Sequence, residues 1–440
     1  MSFDDLTLAD LAAPQKNAIV GGPFGSNLVS KDYVETGVPV IRGANMGEKW
    51  VGGAFVYVSN EKTVQLSQNI ARPNDLVFTQ RGTLGQVSIV PNHGHDRYVV
   101  SQSQMKITVD PSKADVNFLY YLFNSPDQLR YIRNSAIQTG VPHTNLGILK
   151  KTPVKMPPLA IQKQVASVLT ALDDRIALLR ETNTTLEAIA QALFKSWFVD
   201  FDPVRAKQQG REPEGMDPTA AALFPDSFEE SELGLVPKGW SRLAFTDTVK
   251  VIGGGTPKTS IPEYWGGDIP WFSVVDAPAT TDVFVIDTAK HISVQGLNNS
   301  STKLLAEGTT IISARGTVGR LALVGREMAM NQSCYGLRGK ADDAYFTYFS
   351  TYRLVESLKQ RSHGSVFDTI TTDTMRGVFV IYPDKNVIQA FETVLSPVMN
   401  RIKTNLEQTQ TLATLRDTML PRLISGQLRM PEAETALEAA

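Results

Sequence analysis

One stretch of the chain, residues 165–197, carries a regular pattern of apolar positions. Apolar residues recur there at alternating steps of four and three, as in a coiled-coil seam, and the stretch contains neither Gly nor Pro. The seam positions are Val165, Leu169, Leu172, Ile176, Leu179, Asn183, Leu186, Ala190, Leu193 and Trp197. The pattern predicts a helix roughly 50 Å long, which must bury its apolar stripe against another long helix.

A second stretch, 226 residues further on, repeats this register in a weaker form. Its positions are Phe391, Leu395, Val398, Ile402, Asn405, Thr409, Leu412, Arg416, Met419 and Leu423. Pro397 predicts a kink in its first turns, because proline cannot donate the helical hydrogen bond. The two stretches together predict a pair of long helices.

The repeat extends beyond the helices. Four further pairs of segments match in the same order along the chain: residues 20–26 with 252–257, 38–45 with 269–276, 77–85 with 311–319, and 101–103 with 331–333. The chain therefore contains two copies of one unit, each a globular lobe followed by a long helix.

The lobes are expected to be mixed α/β, of the α+β type. Short apolar runs bounded by Gly, Pro and Asn predict strands at residues 75–78, 86–90, 98–100 and 106–109. Residues 117–134 and 344–361 predict amphipathic helices. The predicted boundaries are 1–156 for the first lobe, 157–199 for the central helix, 200–239 for a connector, 240–385 for the second lobe, 386–426 for the C-terminal helix and 427–440 for a tail.

The predicted connector is acidic and rich in proline, which favours a surface segment with one helical turn at residues 218–223. Residues 199–240 carry 4 Lys/Arg against 9 Asp/Glu, a net charge of −5, whereas residues 1–160 carry 15 against 12, or +3. The overall charge of −2 thus hides a mildly basic lobe. This distribution is compatible with DNA binding but does not establish it.

No residue pattern in the chain indicates catalysis. The glycine clusters follow neither the dinucleotide-binding nor the P-loop spacing, and His93 and His95 have no further ligand nearby. We therefore predict no catalytic, cofactor-binding or metal-binding residues. The single cysteine, Cys334, excludes an internal disulfide and suits a reducing cytoplasm, and no run of eighteen apolar residues predicts a membrane span.

The residues that remain are suited to binding. Each Arg-Gly-Thr loop combines a basic side chain, a flexible glycine and a hydroxyl, which can approach DNA phosphates or guanine, and amide side chains can pair with adenine. The candidates are Arg42, Asn45, Arg81, Thr83, Gln102, Ser273, Asp276, Arg315, Thr317 and Gln332. Alternatively, the glycines only form turns and the amides satisfy buried backbone groups.

The end of the first long helix predicts a second kind of contact. Leu193, Phe194, Trp197 and Phe198 place more apolar surface there than one seam uses, and Met419, Leu420 and Leu423 mirror them. Such a patch indicates a partner site. The alternative is packing against the chain's own lobes.

Several motifs occur together along the chain. They are Gly255-Thr256-Pro257 with Tyr-Trp-Gly-Gly-Asp-Ile-Pro-Trp at residues 264–271; the two Arg-Gly-Thr-x-Gly loops; Pro-Pro-Leu at 157–159; Leu-Phe-Lys-Ser-Trp-Phe at 193–198 leading into Phe-Asp-Pro-Val at 201–204; and Leu-Val-Pro-Lys-Gly-Trp at 235–240. With the repeat itself, this succession resembles the specificity subunits of type I restriction-modification systems.

The resemblance implies that each lobe is a target-recognition domain reading one half of a bipartite, asymmetric site in double-stranded DNA. The helices would pair as an antiparallel coiled coil that sets the gap between the half-sites. Two modification subunits carrying S-adenosylmethionine would dock on the helices, and restriction subunits using ATP and Mg²⁺ would join them in the cytoplasm of a bacterium or archaeon. The chain itself would be non-catalytic and bind no cofactor.

Two other readings remain open at this point. One is a self-contained DNA adenine methyltransferase, and the other is a coiled-coil scaffold that does not bind DNA.

Overall fold

A computed structural model describes residues 3–138, 141–232, 234–278, 282–361, 369–428 and 431–432. The chain forms two compact units, residues 1–175 with 411–440, and residues 176–410. Most of the predicted tail lies outside the described residues. No helix in the described part of the chain is long and apolar enough to cross a lipid bilayer.

The first unit contains the first eleven strands and four short α-helices. The strands are β1 (Asp4–Thr7), β2 (Ile19–Gly21), β3 (Tyr33–Val34), β4 (Val38–Ile41), β5 (Val56–Val58), β6 (Ile70–Ala71), β7 (Leu76–Thr79), β8 (Val87–Ile89), β9 (Tyr98–Val100), β10 (Gln104–Ile107) and β11 (Pro153–Met156). The helices are α1 (Asn60–Gln65), α2 (Val116–Phe123), α3 (Pro126–Ser135) and α4 (Leu146–Lys150).

Two long helices each have residues in both units: α5 (Leu159–Phe198) and α12 (Lys385–Ile424). The remaining helices belong to the second unit and are α6 (Asp202–Gln208), α7 (Pro218–Ala222), α8 (Phe245–Thr248), α9 (Val294–Asn298), α10 (Tyr345–Arg361) and α11 (Thr372–Arg376).

The other strands also belong to the second unit. They are β12 (Phe228–Ser231), β13 (Gly234–Pro237), β14 (Ser241–Ala244), β15 (Val249–Gly253), β16 (Trp265–Phe272), β17 (Phe284–Val285), β18 (His291–Ile292), β19 (Thr310–Ser313), β20 (Leu321–Val324), β21 (Ala329–Met330), β22 (Cys334–Gly339) and β23 (Phe379–Tyr382).

The two lobes share the same central strand pairings, but their outer strands differ. In the first unit the sheets have the strand orders β2-β10-β7-β8 and β3-β5-β4-β9-β6, and in the second unit β15-β22-β19-β20-β17 and β18-β16-β21. The pairs β4–β9 and β16–β21 are parallel. Each lobe is closed by its own ends, because β1 pairs with β11 and β14 pairs with β23 immediately before a long helix. The predicted tandem α+β repeat is confirmed.

The predicted pair of long helices is also present, and α12 continues through Pro397. Within the first unit, Asp173 of α5 forms an ion pair with Arg416 of α12 at 2.7 Å. Within the second unit, the Asn405 side-chain amide donates to that of Asn183 at 2.9 Å, and Asn183 donates to the Ile402 carbonyl at 3.1 Å. Within the second unit, Asn183 lies against Asn405, and Trp197, later in α5, lies against Phe391, earlier in α12, so the helices run antiparallel there.

The apolar seam positions are removed from solvent. Those that are buried are Val165, Leu169, Leu172, Ile176, Leu179, Ala190, Trp197, Phe391, Leu395, Ile402, Met419 and Leu423, and the neighbouring Phe194 is buried as well. Those that are half-buried are Leu186, Leu193, Val398 and Leu412. The polar seam positions are accommodated by the ion pair and the two asparagines.

The predicted partner patch at the end of α5 is not open to solvent. Trp197 is only 4% exposed, and its ring packs against those of Phe198, Phe224 and Phe391 at centroid distances of 5.2–6.0 Å. The mirrored α12 residues Met419, Leu420 and Leu423 belong to the core of the first unit. The partner interpretation is therefore wrong for these side chains, because the chain's own lobes cover them.

Two further expectations need correction. Residues 200–239 contain the expected helical turn, α7, but they also form α6 and a hairpin, and Val204, Ala220 and Phe224 pack into the core of the second unit instead of lying on the surface. The single helix expected at residues 117–134 is two helices, α2 and α3. Its interruption has a clear cause: Pro126 lies at the first position of α3 and cannot donate the hydrogen bond that would continue α2.

Candidate nucleic-acid interface

In the first unit, the predicted binding residues gather at one edge, where the parallel strands β4 and β9 end. Arg42 follows β4, and the turn formed by Ser101, Gln102 and Ser103 follows β9. The Ser101 N–H donates to the Ile41 carbonyl at 3.0 Å, which holds the turn beside the end of β4. The carboxyl ends of neighbouring parallel strands are a common place for binding residues.

The second unit builds the same edge from different residues. Ser273 follows β16, and the turn formed by Asn331, Gln332 and Ser333 follows β21. The Asn331 N–H donates to the Phe272 carbonyl at 2.9 Å, the counterpart of the bond made by Ser101. The repeat seen in the sequence is thus also a repeat of backbone geometry.

Each Arg-Gly-Thr loop is attached to this turn. The Gln80 N–H donates to the Ser103 carbonyl at 2.7 Å, and the Ala314 N–H donates to the Ser333 carbonyl, also at 2.7 Å. Beyond these anchors, Arg81 and Thr83 are exposed in the first unit, and the loop of the second unit is exposed in the same pattern. The equivalent side chains there are Arg315 and Thr317.

A segment without predicted binding residues supports both loops. The Thr144 N–H donates to the Gln80 carbonyl at 3.0 Å, and the Ile370 N–H donates to the Ala314 carbonyl at 2.9 Å. Both residues come after a helix and lie far from the loops along the chain. This backbone hydrogen bond is the third that occurs at equivalent positions in both units, and the match identifies Thr144 and Ile370 as part of the edge.

The glycine-rich segments reach the same turn by close backbone approach. A Cβ atom on Gly22 would lie 1.8 Å from the Ser101 carbonyl oxygen, and one on Gly254 would lie 1.9 Å from that of Asn331. No side chain fits at either position. At Gly82 and Gly316 the backbone is left-handed, with φ of +95° and +77°, and the space beside each Cα is open. A ligand can therefore approach these two glycines closely.

Two amides predicted to read bases are used inside the first unit instead. Asn45 is 3% exposed, accepts from the Arg42 N–H at 3.1 Å and donates to the Gly52 and Ala54 carbonyls at 3.0 Å. Gln102 donates from its side-chain nitrogen to the Gly25 and Leu28 carbonyls. We exclude both as bidentate readers of adenine, because their N–H groups already have partners.

Two candidates in the second unit are likewise bonded to each other. The Ser273 hydroxyl and backbone N–H both donate to Asp276 Oδ2 at 2.8 Å, and Asp276 Oδ1 accepts from the Ala289 N–H at 2.8 Å. Asp276 thus closes a short turn after β16, and the Ser273 hydroxyl proton is already donated to its carboxylate.

The two remaining polar candidates differ in exposure. The Arg42 Nε atom is buried and has no hydrogen-bond partner among the described residues. Gln332 is exposed and accepts the Thr256 hydroxyl proton through its side-chain oxygen. The exposed face therefore differs between the lobes, with Arg81 and Thr83 in the first, where Arg42 is half-buried, and Arg315, Thr317 and Gln332 in the second.

The side chains at these edges are suited to binding a ligand. The described residues contain no group of three or more His, Cys, Asp or Glu side chains placed to hold a metal ion. Burial raises the pKa of the Cys334 thiol to about 12, so this side chain is a poor nucleophile at neutral pH. Exposed arginines on a glycine-rich loop are suited to phosphate and base contacts.

Comparison with known proteins gives a consistent answer. The family model described as the type I restriction modification DNA specificity domain matches residues 26–188 and 237–414. The type I restriction enzyme HindI specificity subunit of Haemophilus influenzae is 29% identical, over 84% of this chain and 90% of that protein. The MjaIX specificity subunit of Methanocaldococcus jannaschii is 23% identical, over 94% and 92%.

The fold is shared with a solved structure as well. The crystal structure of a type I restriction-modification S subunit from M. genitalium matches with a TM-score of 0.56 and 15% identity, covering 96% of both chains. The comparisons do not support the methyltransferase or scaffold alternatives. The matches to both repeats and the duplicated edges together show that this chain belongs to the family of type I restriction-modification specificity subunits, which recognise DNA sequence and are not themselves catalytic.

Proposed function

We propose that each unit reads one half of a bipartite, asymmetric site in double-stranded DNA through the edge described above. The observation that carries this proposal is that one backbone frame occurs twice with unlike side chains at equivalent positions. Arg42 is replaced by Ser273 in the second unit, while the Arg-Gly-Thr loop is retained. Retained groups suit contacts that every DNA sequence offers, and differing groups suit contacts that distinguish bases.

In this proposal Arg81 and Arg315 contact phosphates. Both follow a buried strand, both are exposed, and each precedes a glycine with open space around it. Their shared chemistry in two lobes that read different bases favours the DNA backbone, which is the same at every site.

Substitution of these two arginines tests the phosphate contact. Arg81→Ala and Arg315→Ala should each weaken binding of the full chain to all duplexes alike and lower the slope of log K against log salt by about 1. Arg130→Ala and Arg376→Ala are matched controls, because these exposed arginines pair with an acid one turn away, Asp127 and Asp373. An unchanged slope in the first two variants would refute the contact.

A second part of the proposal concerns assembly with the modification subunits, for which the outward face of α5 in the second unit is the docking surface. Leu178 and Ile189 are 52% and 50% exposed and lie about three turns apart on one face of the helix. Between them, the hydroxyls of Thr182 and Thr185 donate to backbone carbonyls, which leaves their methyl groups facing outward.

Charge on this face should prevent docking. Leu178→Glu combined with Ile189→Glu should reduce capture of the modification subunit while DNA binding by the full chain is retained, because a buried interface excludes unpaired carboxylates. Leu235→Glu serves as a control, since Leu235 is an exposed apolar residue on the β12–β13 hairpin. Normal capture by the double variant would contradict the assignment.

The remaining roles fall to the partners. We propose that two modification subunits bind S-adenosylmethionine, that restriction subunits bind ATP and Mg²⁺, and that the complex acts on DNA in the cytoplasm of a bacterium or archaeon. The purified chain should then bind neither labelled S-adenosylmethionine nor ATP, and measurable binding of either would contradict this division of labour.

A further inference from the structure

Phe24 is an exposed aromatic residue at the candidate interface of the first unit. Phe24 is 83% exposed, more than any other large apolar residue in the described part of the chain. Burying such a ring normally stabilises a fold, and here the fold gains nothing from it. An aromatic ring held in solvent at a binding edge indicates contact with a ligand.

The loop that carries Phe24 is held firmly at its base. Gly22 lies against the backbone of Ser101, where no Cβ fits. On the other side of the ring, the Gln102 side chain donates to the Gly25 and Leu28 carbonyls, and the Asn27 N–H donates to the Phe24 carbonyl at 3.1 Å. The backbone on both sides of the ring is therefore anchored, and the ring projects from it.

The same anchors place Phe24 beside the Arg-Gly-Thr loop. The turn of residues 101–103 contacts the Phe24 loop through Ser101 and Gln102, and it contacts the Arg81 loop through the Ser103 carbonyl. The loops that carry the exposed ring and the exposed arginine are thus attached to the same turn.

The second unit provides an internal comparison. The residue equivalent to Phe24 is Thr256, and its hydroxyl donates to Gln332, the equivalent of Gln102. The frame is conserved between the lobes, but the projecting residue is aromatic in one and small and polar in the other. Two lobes that read unlike half-sites must differ in the side chains they project, and Phe24 and Thr256 differ in this way.

We propose that Phe24 inserts into a base step of the half-site read by the first unit and stacks on the opened bases. This inference rests on the proposed DNA-reading function. Apolar wedges, Phe among them, open base steps in other DNA-binding proteins, and they favour steps that unstack easily. Phe24 then contributes to sequence choice without a hydrogen bond, and the half-site read by the second unit is bound without such a wedge.

The test uses the full chain and a duplex carrying both half-sites, identified by mapping methylated adenines in the host genome. Replacing one base at a time with 2-aminopurine reports unstacking through its fluorescence. Phe24→Ala should weaken binding about 5- to 150-fold, the range for loss of one stacked base. It should also abolish the fluorescence change at one step of the first half-site only.

Two further variants sharpen the result. Phe24→Leu keeps an apolar wedge without a ring, so it should retain part of the unstacking signal but lose affinity. Val64→Ala should change neither quantity, because Val64 is exposed on α1. An unchanged unfolding midpoint for Phe24→Ala excludes a folding defect as the cause.

The outcomes separate the inference from the function beneath it. If Arg81→Ala weakens DNA binding but Phe24→Ala changes neither affinity nor fluorescence, the wedge is refuted and the DNA-reading function stands. If neither variant affects DNA binding, the proposed interface itself is wrong. If Phe24→Ala reduces capture of a modification subunit and leaves DNA binding intact, the ring is a protein contact and the wedge is refuted.

Discussion

At the scale of single residues, polar side chains in this protein have two different roles. Asn45 and Gln102 hold loops in position through backbone carbonyls, whereas Arg81 and Arg315 leave their guanidinium groups to solvent. The anchoring residues fix the geometry, and the exposed ones make the contacts. Substitutions in the first group should therefore disturb binding indirectly, through the loop.

Glu392 is a buried carboxylate with a pH-dependent role. It accepts from the N–H groups of Ala344, Tyr345 and Phe346 at the start of α10, at 3.3, 3.0 and 2.7 Å. Burial outweighs these bonds and raises the pKa of Glu392 from 4.5 to about 7. The folded state therefore holds a proton between pH 4.5 and 7 that the unfolded state releases.

We expect the free energy of unfolding to fall as pH rises from about 4.5 through 7, by the part that Glu392 contributes. Glu392→Gln should flatten that part of the pH profile, because the amide does not titrate. Denaturant midpoints measured from pH 5 to 8 would show this. Glu356→Gln, at a half-buried glutamate paired with Arg353, should leave the slope unchanged. Equal slopes in the wild type and Glu392→Gln would contradict the assignment.

At the scale of elements, the two long helices combine an apolar seam with a few buried polar pairs. In the second unit, Asn183 and Asn405 bond to each other, while the Asn405 side-chain oxygen finds no donor among the described residues. In the first unit, Asp173 accepts from both Tyr121 and Arg416. Polar pairs inside a seam favour one register of the helices over shifted ones.

The end of α5 is an anchor for its lobe rather than a partner surface. Trp197→Ala removes a large side chain that packs against Phe224 and Phe391, so it should destabilise the full chain by about 3–5 kcal/mol. Ile189→Ala, on the exposed face of the same helix, should cost far less. Denaturant unfolding distinguishes them. Loss of modification-subunit capture without a shift in the unfolding midpoint of Trp197→Ala would restore the partner interpretation.

At the scale of the whole molecule, duplication allows the side chains of the two lobes to differ while the backbone hydrogen bonds stay the same. Hydrogen bonds such as Ser101 to Ile41 and Asn331 to Phe272 have nearly the same length in both units. These bonds use backbone atoms, so they survive changes of side chain. Each lobe also pairs its own first and last strands, β1 with β11 and β14 with β23.

Exchange of one lobe should therefore change one half-site only. We expect that replacing residues 240–385 by the corresponding lobe of another specificity subunit alters one half of the methylated motif and leaves the other half unchanged. Mapping of methylated adenines in a host that carries the hybrid chain and its modification subunits measures both halves at once. A motif altered in both halves, or in neither, would refute the assignment of one half-site to each lobe.

The sequence by itself determined the duplication, the two long helices and the Arg-Gly-Thr loops. These features are periodicities and repeats along one dimension, and the steps of four and three around Leu169 and Leu395 follow from helix geometry whatever surrounds them. The mixed lobes were also predictable, because short apolar runs bounded by Gly, Pro and Asn are typical of strands.

Only the tertiary structure decided which side chains face outward. Trp197 and Phe24 are both large apolar residues, yet the folded connector and α12 cover the first, and nothing covers the second. Gln102 and Gln332 are equivalent amides, but the Gln102 side-chain nitrogen donates to carbonyls 77 and 74 residues away, whereas the Gln332 side-chain oxygen accepts from Thr256. Burial and hydrogen bonding depend on which segments meet in space, and local sequence does not contain that information.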